Sequence, residues 1–391
     1  VKVNSVKRLK VLFLCSWYPN KDNPTVGNFT QKHAEAANIY NDVVVLAIVA
    51  SKNTHSIEIV ESTTNGLNEI VVYYPKKDSF FTIGNKISGL FSHIKAFRLG
   101  YKRVQEKLVQ PDILHLNVTY PLGIWAKWLK RRKGIPFVVT EHSNGFHLNG
   151  DHSYSKTILT LCKSILSDAS MLLPVSEDLK NNLVQLAPNS FFKIISNVVN
   201  ENIFKLQPRS SSTLKKLIHI STGYDPQKNL SGIINVLHKL VKIRQDFQLT
   251  IISDGDVEYA KKLVADLDMT EKILFQGPKS TEEIAKFMNQ SDALLLFSNY
   301  ENFPCVIAES FMIGIPVIST SINGIPEHVK PWNGILVEKG NESELIRALI
   351  QFLDNSNVYD PEKLHNYALE HFGYHAVGKS FDTVYHSILK D

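Results

Sequence analysis

Little in this 391-residue chain points to a disulfide framework, a metal centre or a membrane span. Its three cysteines (Cys15, Cys162 and Cys305) are an odd number without C-x-x-C spacing, which fits a reducing cytosol better than a secreted scaffold. No apolar run approaches the roughly 18–20 residues of a spanning helix. Neither G-x-G-x-x-G nor G-x-x-x-x-G-K-S/T occurs, which weakens dehydrogenase and NTPase readings. The histidines lack zinc spacing, and no repeat of solenoid length is found. A net charge of +5 is too mild to indicate nucleic acid as a partner. "VLFLCSWY" follows a basic start, but it is short for a signal-peptide core, and proline and charges follow at once. It reads as a first buried strand.

What is present is the composition of a globular protein: 43% hydrophobic, 21% charged and 10% aromatic. At this length two domains are expected. Short apolar runs occupy the first half ("KVLFLCS", "VVVLAIV", "DILHLNV", "PFVVTEH", "SMLLPVS") and the second ("KLIHIST", "FQLTIIS", "KILFQG", "ALLLFS", "PVISTS"). Helical patterns such as "NFTQKHAEAANIY" lie between most of them, which predicts an α/β architecture of parallel sheets covered on both faces. The Pro-, Ser- and Lys-rich stretch "VVNENIFKLQPRSSSTLKK" reads as the linker, giving domains over 1–200 and 201–373. Each is the size of one doubly wound unit, and two such domains facing a central cleft are expected, with ligands beyond the carboxyl ends of the strands.

The segment "YENFPCVIAES" raises the sharpest question, because two glutamates bracket an apolar run. "ALLLFS" predicts a strand ending at Ser298, "SNYENFP" a loop, and "PCVIAESFMI" a helix stopped by Gly314. Glu301 then lies at the sheet's carboxyl edge and Glu309 inside the helix. A carboxylate among apolar neighbours needs hydrogen-bond donors. Glu309 either meets a backbone group or lysine inside the fold, or accepts two ligand hydroxyls. Amides at the helix start, on Cys305 and Val306 behind the donorless Pro304, suit a phosphate. Lys228, in the loop after the second half's first strand, is either a solvated lysine or the cation beside a departing diphosphate. Gly27 in "NPTVGNFTQKHAEAA" is either a turn glycine or a point of close backbone approach to phosphates.

With these residues placed, the chain resembles the retaining GT-B glycosyltransferases of family 4, the "glycosyl transferases group 1". Glu301 and Glu309 match the family's E-x7-E motif, followed by "ESFMIGIPVISTSINGIPEHV". "PDILHLNVTYPLGIWAKWLKRRKGIPFVVTEH" and "LPVSEDLK" resemble its amino-terminal domain, and "IISNVVNENIF" its interdomain segment. The resemblance implies two Rossmann-like domains, the first binding the acceptor and the second the donor, with the last helix (374–391) packing back on the first. It also implies transfer of a sugar from a nucleotide-diphosphate donor (a UDP- or GDP-sugar) to a saccharide or lipid-linked hydroxyl, with retention and without a metal or other cofactor. Glu309 would bind the donor ribose, Glu301 would contact the donor sugar, and His142 in "VVTEHSNGF" would lie on that sugar. Lys228 and the backbone of the Asn302-Phe303-Pro304-Cys305-Val306 stretch, through the amides other than that of Pro304, would hold the diphosphate. Asp254 and Gly255, in "ISDGD", fall on the family's glycine-rich loop near the nucleotide and read as a turn despite a D-x-D spacing shared with Asp256.

The sequence departs from the family at Gly223, where an arginine usually stands five residues before the lysine. Lys279 is a candidate to compensate. Pro304 replaces a frequent glycine, and "VVN" replaces "GVD" after Asn197. A basic-aromatic stretch from Phe80 to Arg103, with "KWLKRRKG" further on, reads as a solvated helix face or as a surface docking on anionic lipid. The expectation is a cytoplasmic enzyme of surface polysaccharide or glycolipid synthesis, peripheral to the membrane on the second reading. Rival readings are transfer to a small soluble acceptor, a catalytically silent sugar-binding or partner protein, and a GT-B epimerase.

Overall fold

A strand whose residues are all apolar has no solvent face, so its alternate side chains must enter two cores. The computed structural model, which describes residues 7–76, 83–146, 154–208 and 212–390, has this arrangement. Two compact units are defined: Val1–Val175 with Leu179–Val198 and Tyr374–Asp391, and Ser176–Asp178 with Val199–Gly373.

The first unit begins with β1 (Lys10–Cys15), α1 (Asn28–Tyr40), β2 (Asp42–Ser51), β3 (Glu58–Thr64), β4 (Leu67–Pro75) and α2 (Ile83–Leu108). It continues with β5 (Ile113–Asn117), α3 (Gly123–Lys133), β6 (Phe137–Glu141), α4 (Lys156–Asp168), β7 (Met171–Pro174) and α5 (Glu177–Leu186). The second holds β8 (Lys215–Ser221), α6 (Asp225–Lys228), α7 (Leu230–Leu240), β9 (Phe247–Ser253), α8 (Glu258–Asp266), β10 (Ile273–Gln276) and α9 (Thr281–Asn289). After these come β11 (Ala293–Leu295), α10 (Cys305–Met312), β12 (Val317–Thr320), α11 (Ile325–His328), β13 (Gly334–Val337), α12 (Glu342–Asn355) and α13 (Pro361–Phe372). The chain ends with α14 (Tyr374–Leu389), which belongs to the first unit.

The first sheet has the order β3-β4-β2-β1-β5-β6-β7. Leu12 and Leu14 of β1 enter one core with Phe97 of α2, Leu129 of α3 and Ile165 of α4. Val11, Phe13 and Cys15 enter the other, against Ala34 and Ala37 of α1 and Phe381 and Tyr385 of α14. Helices α1 and α14 approach so closely that a side chain at Gly378 would meet the Ala36 carbonyl oxygen at 2.2 Å. The buried His115 of β5 ties α14 to the sheet, its Nδ1 lying 2.6 Å from the Tyr385 hydroxyl and its Nε2 2.7 Å from Thr140 Oγ1.

One strand departs from the expected parallel arrangement. β3 pairs antiparallel with β4 through a two-residue turn in which Asn65 and Gly66 both have positive φ (52° and 76°). That dipeptide matches the twist of a tight hairpin, and β3 is mostly polar and exposed, as an edge strand can be.

The second sheet is parallel throughout, in the order β10-β9-β8-β11-β12-β13. Numbered within the unit this is 3-2-1-4-5-6, the doubly wound order, which reverses between β8 and β11. Ligands of such sheets bind beyond the carboxyl ends of the strands at such a reversal.

Both units bury neutral histidines. Burial pushes His33 of α1 and His219 of β8 down to about 4. Unfolded, each titrates near 6.5, so between these values the unfolded chain binds more protons. Their contribution is complete above pH 6.5 and falls as pH drops toward 4. Lowering pH from 7.5 to 5 should therefore cost on the order of 1–2 kcal/mol per histidine. Denaturant midpoints at the two pH values measure it, and an unchanged midpoint would contradict the burial of these rings.

Candidate active site

In the second unit the site grows from the adjacency of β8 and β11, which pair at Ala293↔Leu217 and Leu294↔Ile218. The loop after β8 leads into the short α6, and the loop after β11 leads into α10. Backbone and side-chain bonds join the two loops. The Asn299 N–H donates to the Gln227 carbonyl (2.7 Å), Asn299 Nδ2 to the Pro226 carbonyl (3.0 Å), and Gln227 Nε2 to the Tyr300 carbonyl (3.3 Å). This brings Lys228 Nζ to 2.5 Å from Glu301 Oε1, although 73 residues separate them. The side chains are only 14% and 8% exposed, so the pair is largely withdrawn from water. The Glu301 N–H donates to Asn323 Oδ1 at 3.3 Å, which adds a third loop.

Past Glu301, Asn302 accepts the Gly324 N–H at its carbonyl (3.0 Å). The Phe303 ring is core, stacking on Phe372 at 5.5 Å and lying 4.6 Å from His328. Pro304 caps α10 in extended conformation, and its carbonyl accepts the Ile307 N–H (3.0 Å). Cys305 and Val306 form the first turn, whose amides carry the positive end of the helix dipole. Glu309 lies one turn on and is buried together with Ile307, Ala308, Ser310 and Phe311.

The loops after β8 and β9 meet at Gly223 and Gly255, and Asp254 is exposed in the second of them. The Gly223 N–H donates to Ser221 Oγ (3.1 Å), Ser221 Oγ lies 2.8 Å from His219 Nε2, and His219 Nδ1 lies 2.8 Å from the Leu295 carbonyl oxygen. That carbonyl requires Nδ1 to carry the proton, so Nε2 accepts from Ser221. A Cβ on Gly255 would come within 2.0 Å of the Thr222 carbonyl oxygen. Gly223 has φ +72°, and a Cβ there would meet Val257 Cγ1 at 2.5 Å and Ser253 Oγ at 2.8 Å. Close packing of the loops after β8 and β9 thus occupies the place where the family carries arginine. Tyr259 completes it, donating to the Gly223 carbonyl at 2.7 Å.

Asp256 accepts the Glu258 N–H (3.0 Å), the role of a helix-start cap. Among the described residues no group of three or more His, Cys, Asp or Glu side chains is arranged to hold a metal ion. Lys279, the candidate compensating cation, follows β10 at the sheet's far edge and lies 5.9 Å from the Phe287 ring centroid.

In the first unit the order reverses between β1 and β5. Ser16 joins the loops there, its hydroxyl donating to the Val118 carbonyl (2.8 Å) and accepting the Leu122 N–H (3.2 Å). Gly27 caps α1 with φ +66°, and a Cβ would run into the Trp17 carbonyl carbon at 2.4 Å. The backbone that approaches Gly27 closely is thus that of Trp17 and Tyr18. His142 follows β6 and is half-buried. Its ring lies 4.2 Å from Phe29 and 5.2 Å from His33, centroid to centroid. Burial holds it well below the usual imidazole range, with His33 and His115 adding repulsion, so the ring is neutral at physiological pH.

These two doubly wound units, each with polar loops at the point of strand-order reversal, define a two-domain, Rossmann-like α/β protein. The "Glycosyltransferase Family 4" model matches residues 43–202 and the "Glycosyl transferases group 1" model residues 204–371. Similar curated proteins include N-acetyl-alpha-D-glucosaminyl L-malate synthase of Bacillus anthracis, 26% identical over 72% of this chain and 76% of that one. Alpha-monoglucosyldiacylglycerol synthase of Streptococcus pneumoniae is 21% identical over 89% of this chain and 83% of its own. Among solved structures, sucrose-phosphate synthase from Thermosynechococcus elongatus superposes with a TM-score of 0.75 at 17% identity, covering 97% of this chain and 99% of that one. Anabaena HepE in complex with UDP and glucose superposes at 0.72 and 16% identity, covering 97% and 100%. The chain belongs to the family 4 glycosyltransferases of GT-B fold, and it is a transferase.

Gly223 generates a test. Gly223→Arg restores the family's side chain but forces an L-residue to φ +72° against Val257 and Ser253. Strain of this kind costs on the order of 1–3 kcal/mol. The variant should melt lower and turn over no faster. A faster enzyme of unchanged melting temperature would show that the loop accommodates arginine.

Proposed function

We propose that this glycosyltransferase moves a sugar from a nucleotide-diphosphate donor to a hydroxyl of a saccharide or lipid-linked acceptor, with retention at the anomeric carbon, in surface polysaccharide or glycolipid synthesis. The observation that carries the proposal is the largely buried Lys228–Glu301 pair at the strand-order reversal, directly before the first turn of α10. A diphosphate there meets one ammonium and the amides of Cys305 and Val306, while Glu301 faces the sugar and Glu309 accepts the ribose hydroxyls. Negative charge grows on the diphosphate as the sugar departs, and Lys228 opposes it in a site of low dielectric. In this reading Lys228 and the helix start handle that charge, and no metal is called on. His142, neutral, hydrogen-bonds a sugar hydroxyl rather than supplying a positive charge.

A lipid-linked acceptor is supported by one surface of the first unit. Helices α2 and α3 are joined by Trp125, which donates from Nε1 to His93 (3.0 Å) and stacks on Phe97 at 4.0 Å. Leu90, Phe91, Ile124 and Trp128 are exposed there, beside the exposed Lys95, Arg98, Lys102 and Arg132. Arg103 contributes less than its charge suggests, since Glu106 (2.9 Å) and Glu61 (3.6 Å) engage it. Phe80 and Phe81 lie outside the described residues, as does the Lys86 side chain. No described helix is long and apolar enough to cross a membrane. We place the enzyme in the cytoplasm, peripheral to anionic lipid. The B. anthracis relative, whose name specifies L-malate, favours the second reading of a small soluble acceptor.

Release of nucleoside diphosphate from a panel of UDP- and GDP-sugars tests the reaction, and the anomeric configuration of the product tests retention. Lys228→Ala should lower kcat on the order of 100-fold or more. Glu309→Gln should weaken binding of the nucleoside diphosphate roughly tenfold or more, the worth of a charge-assisted bond. Turnover should persist in strong chelator. Full activity in both variants, or manganese-dependent rescue after chelation, would refute this division of roles.

Membrane docking is checked separately by co-sedimentation with anionic and neutral vesicles across a salt series. Each basic residue near an anionic surface contributes about 1 kcal/mol, screened by salt. Wild type should bind anionic vesicles at low salt, and Phe91→Ser/Trp128→Ser should bind less. Equal recovery with both vesicle types would favour the soluble acceptor.

A further inference from the structure

The loop carrying His142 is held from below by a carboxylate that the proposed reaction does not use. Glu141 ends β6 and is fully buried. Its Oε2 accepts the Thr119 N–H (2.9 Å) and the Thr119 hydroxyl (2.7 Å). Its Oε1 accepts the N–H groups of His142 and Ser143, both at 2.8 Å. One side chain thus receives four donors from two loops, those that follow β5 and β6. Ser143 extends the bracing, donating to the Tyr154 hydroxyl (2.9 Å) and accepting the Gly145 N–H (3.0 Å).

The choice of a carboxylate is informative. Burial raises the Glu141 pKa, and the four donated bonds oppose that rise by favouring the charged form. An amide of the same shape has one acceptor oxygen and one NH2 group. In one flip Gln would turn that NH2 toward the N–H groups of His142 and Ser143, and in the other toward the Thr119 N–H, donor against donor. Only the carboxylate satisfies both loops at once. What it fixes includes the backbone N–H of His142 itself, while Phe29 and His33 pack against that residue's ring.

We propose that Glu141 is a positioning residue of the transfer reaction, clamping the His142 backbone to the Thr119 loop so that the imidazole presents one fixed orientation. The proposal rests on the reading that His142 acts at the donor sugar. Glu141 touches no substrate, and its effect passes through His142. A misplacement on the order of 1 Å costs up to about 100-fold in rate while leaving remote binding contacts in place.

The test is a double-mutant cycle on turnover of the best donor from the panel, with His142→Ala, Glu141→Gln and both together. Glu141→Gln should lower kcat about 10- to 100-fold with donor KM within about twofold. It should cause no further loss in the His142→Ala background. Losses that multiply in the double variant, or a KM rising in step with the fall in kcat, would make Glu141 a fold residue and overturn the proposal. Wild-type turnover by Glu141→Gln beside a crippled His142→Ala would overturn it alone. Wild-type turnover by His142→Ala would end the role of His142 and this proposal with it. Should Glu141→Gln not fold, Thr119→Val removes a single hydroxyl donor. It should show the same split at smaller amplitude, restored by Thr119→Ser, and an unaltered kcat would overturn the clamp.

Discussion

A lysine ammonium and a glutamate carboxylate held together beneath the surface set the terms for the second unit. Withdrawing two charges from water is unfavourable, and their attraction offsets this only where neighbouring bonds fix the geometry. Here the fixing is done by Asn299 and Gln227, whose bonds join the loops before either charge is considered. Those loops are neighbours because β8 and β11 are adjacent where the strand order reverses. Removing either charge would leave the other buried and unpaired, so the pair makes its loops interdependent. An anionic ligand that recruits Lys228 must likewise leave Glu301 with another donor, and sugar hydroxyls are such donors.

The first unit solves the same problem with different chemistry. Its loops also gather at a reversal, between β1 and β5, and hydrogen bonds to backbone join them. Ser16 and Glu141 do so by accepting and donating bonds to backbone, so the loops after β1, β5 and β6 are linked in series. A buried carboxylate surrounded by N–H and O–H donors needs no cation, since four hydrogen bonds replace much of its hydration. The consequence for His142 is that its backbone is fixed by a buried carboxyl group and its ring by aromatic packing.

How much of this could be read from the chain depends on the range of the interaction. Glu301, Pro304 and Glu309 belong to one local pattern, and a strand, a loop and a helix followed directly from it. Both doubly wound units follow from short apolar runs that alternate with helical patterns, but β3, β4 and β13 were not anticipated. β4 lies in a hairpin whose signal is the Asn65-Gly66 turn rather than a bounded apolar run, and β13 is only four residues long. The Lys228–Glu301 contact spans 73 residues and is created by strand order, which no local window contains. Glu141 was passed over for a related reason. Beside His142 it reads as one more polar residue at a strand end, and its partner Thr119 lies 22 residues away. The glycines were ambiguous because glycine reports that space is short without saying what fills it. At Gly27 it is the backbone of Trp17 and Tyr18, and at Gly255 the carbonyl of Thr222.

Gly223 shows how one such constraint reaches the chemistry. Its left-handed conformation, its bond to Ser221 and its contact with Val257 form one packed arrangement, which His219 extends to β11. An arginine cannot be added there without unpacking the loop that leads into α6, and α6 ends in Lys228. A second cation at this position would therefore be gained at the expense of the placement of the first. In the proposed reaction, neutralisation of the diphosphate then rests on one well-placed ammonium and the amides of a helix start. Such groups are effective in proportion to how rigidly they are held, because a preoriented dipole needs no reorganisation as charge develops. The bonds that join the loops of the second unit are thus part of its electrostatics.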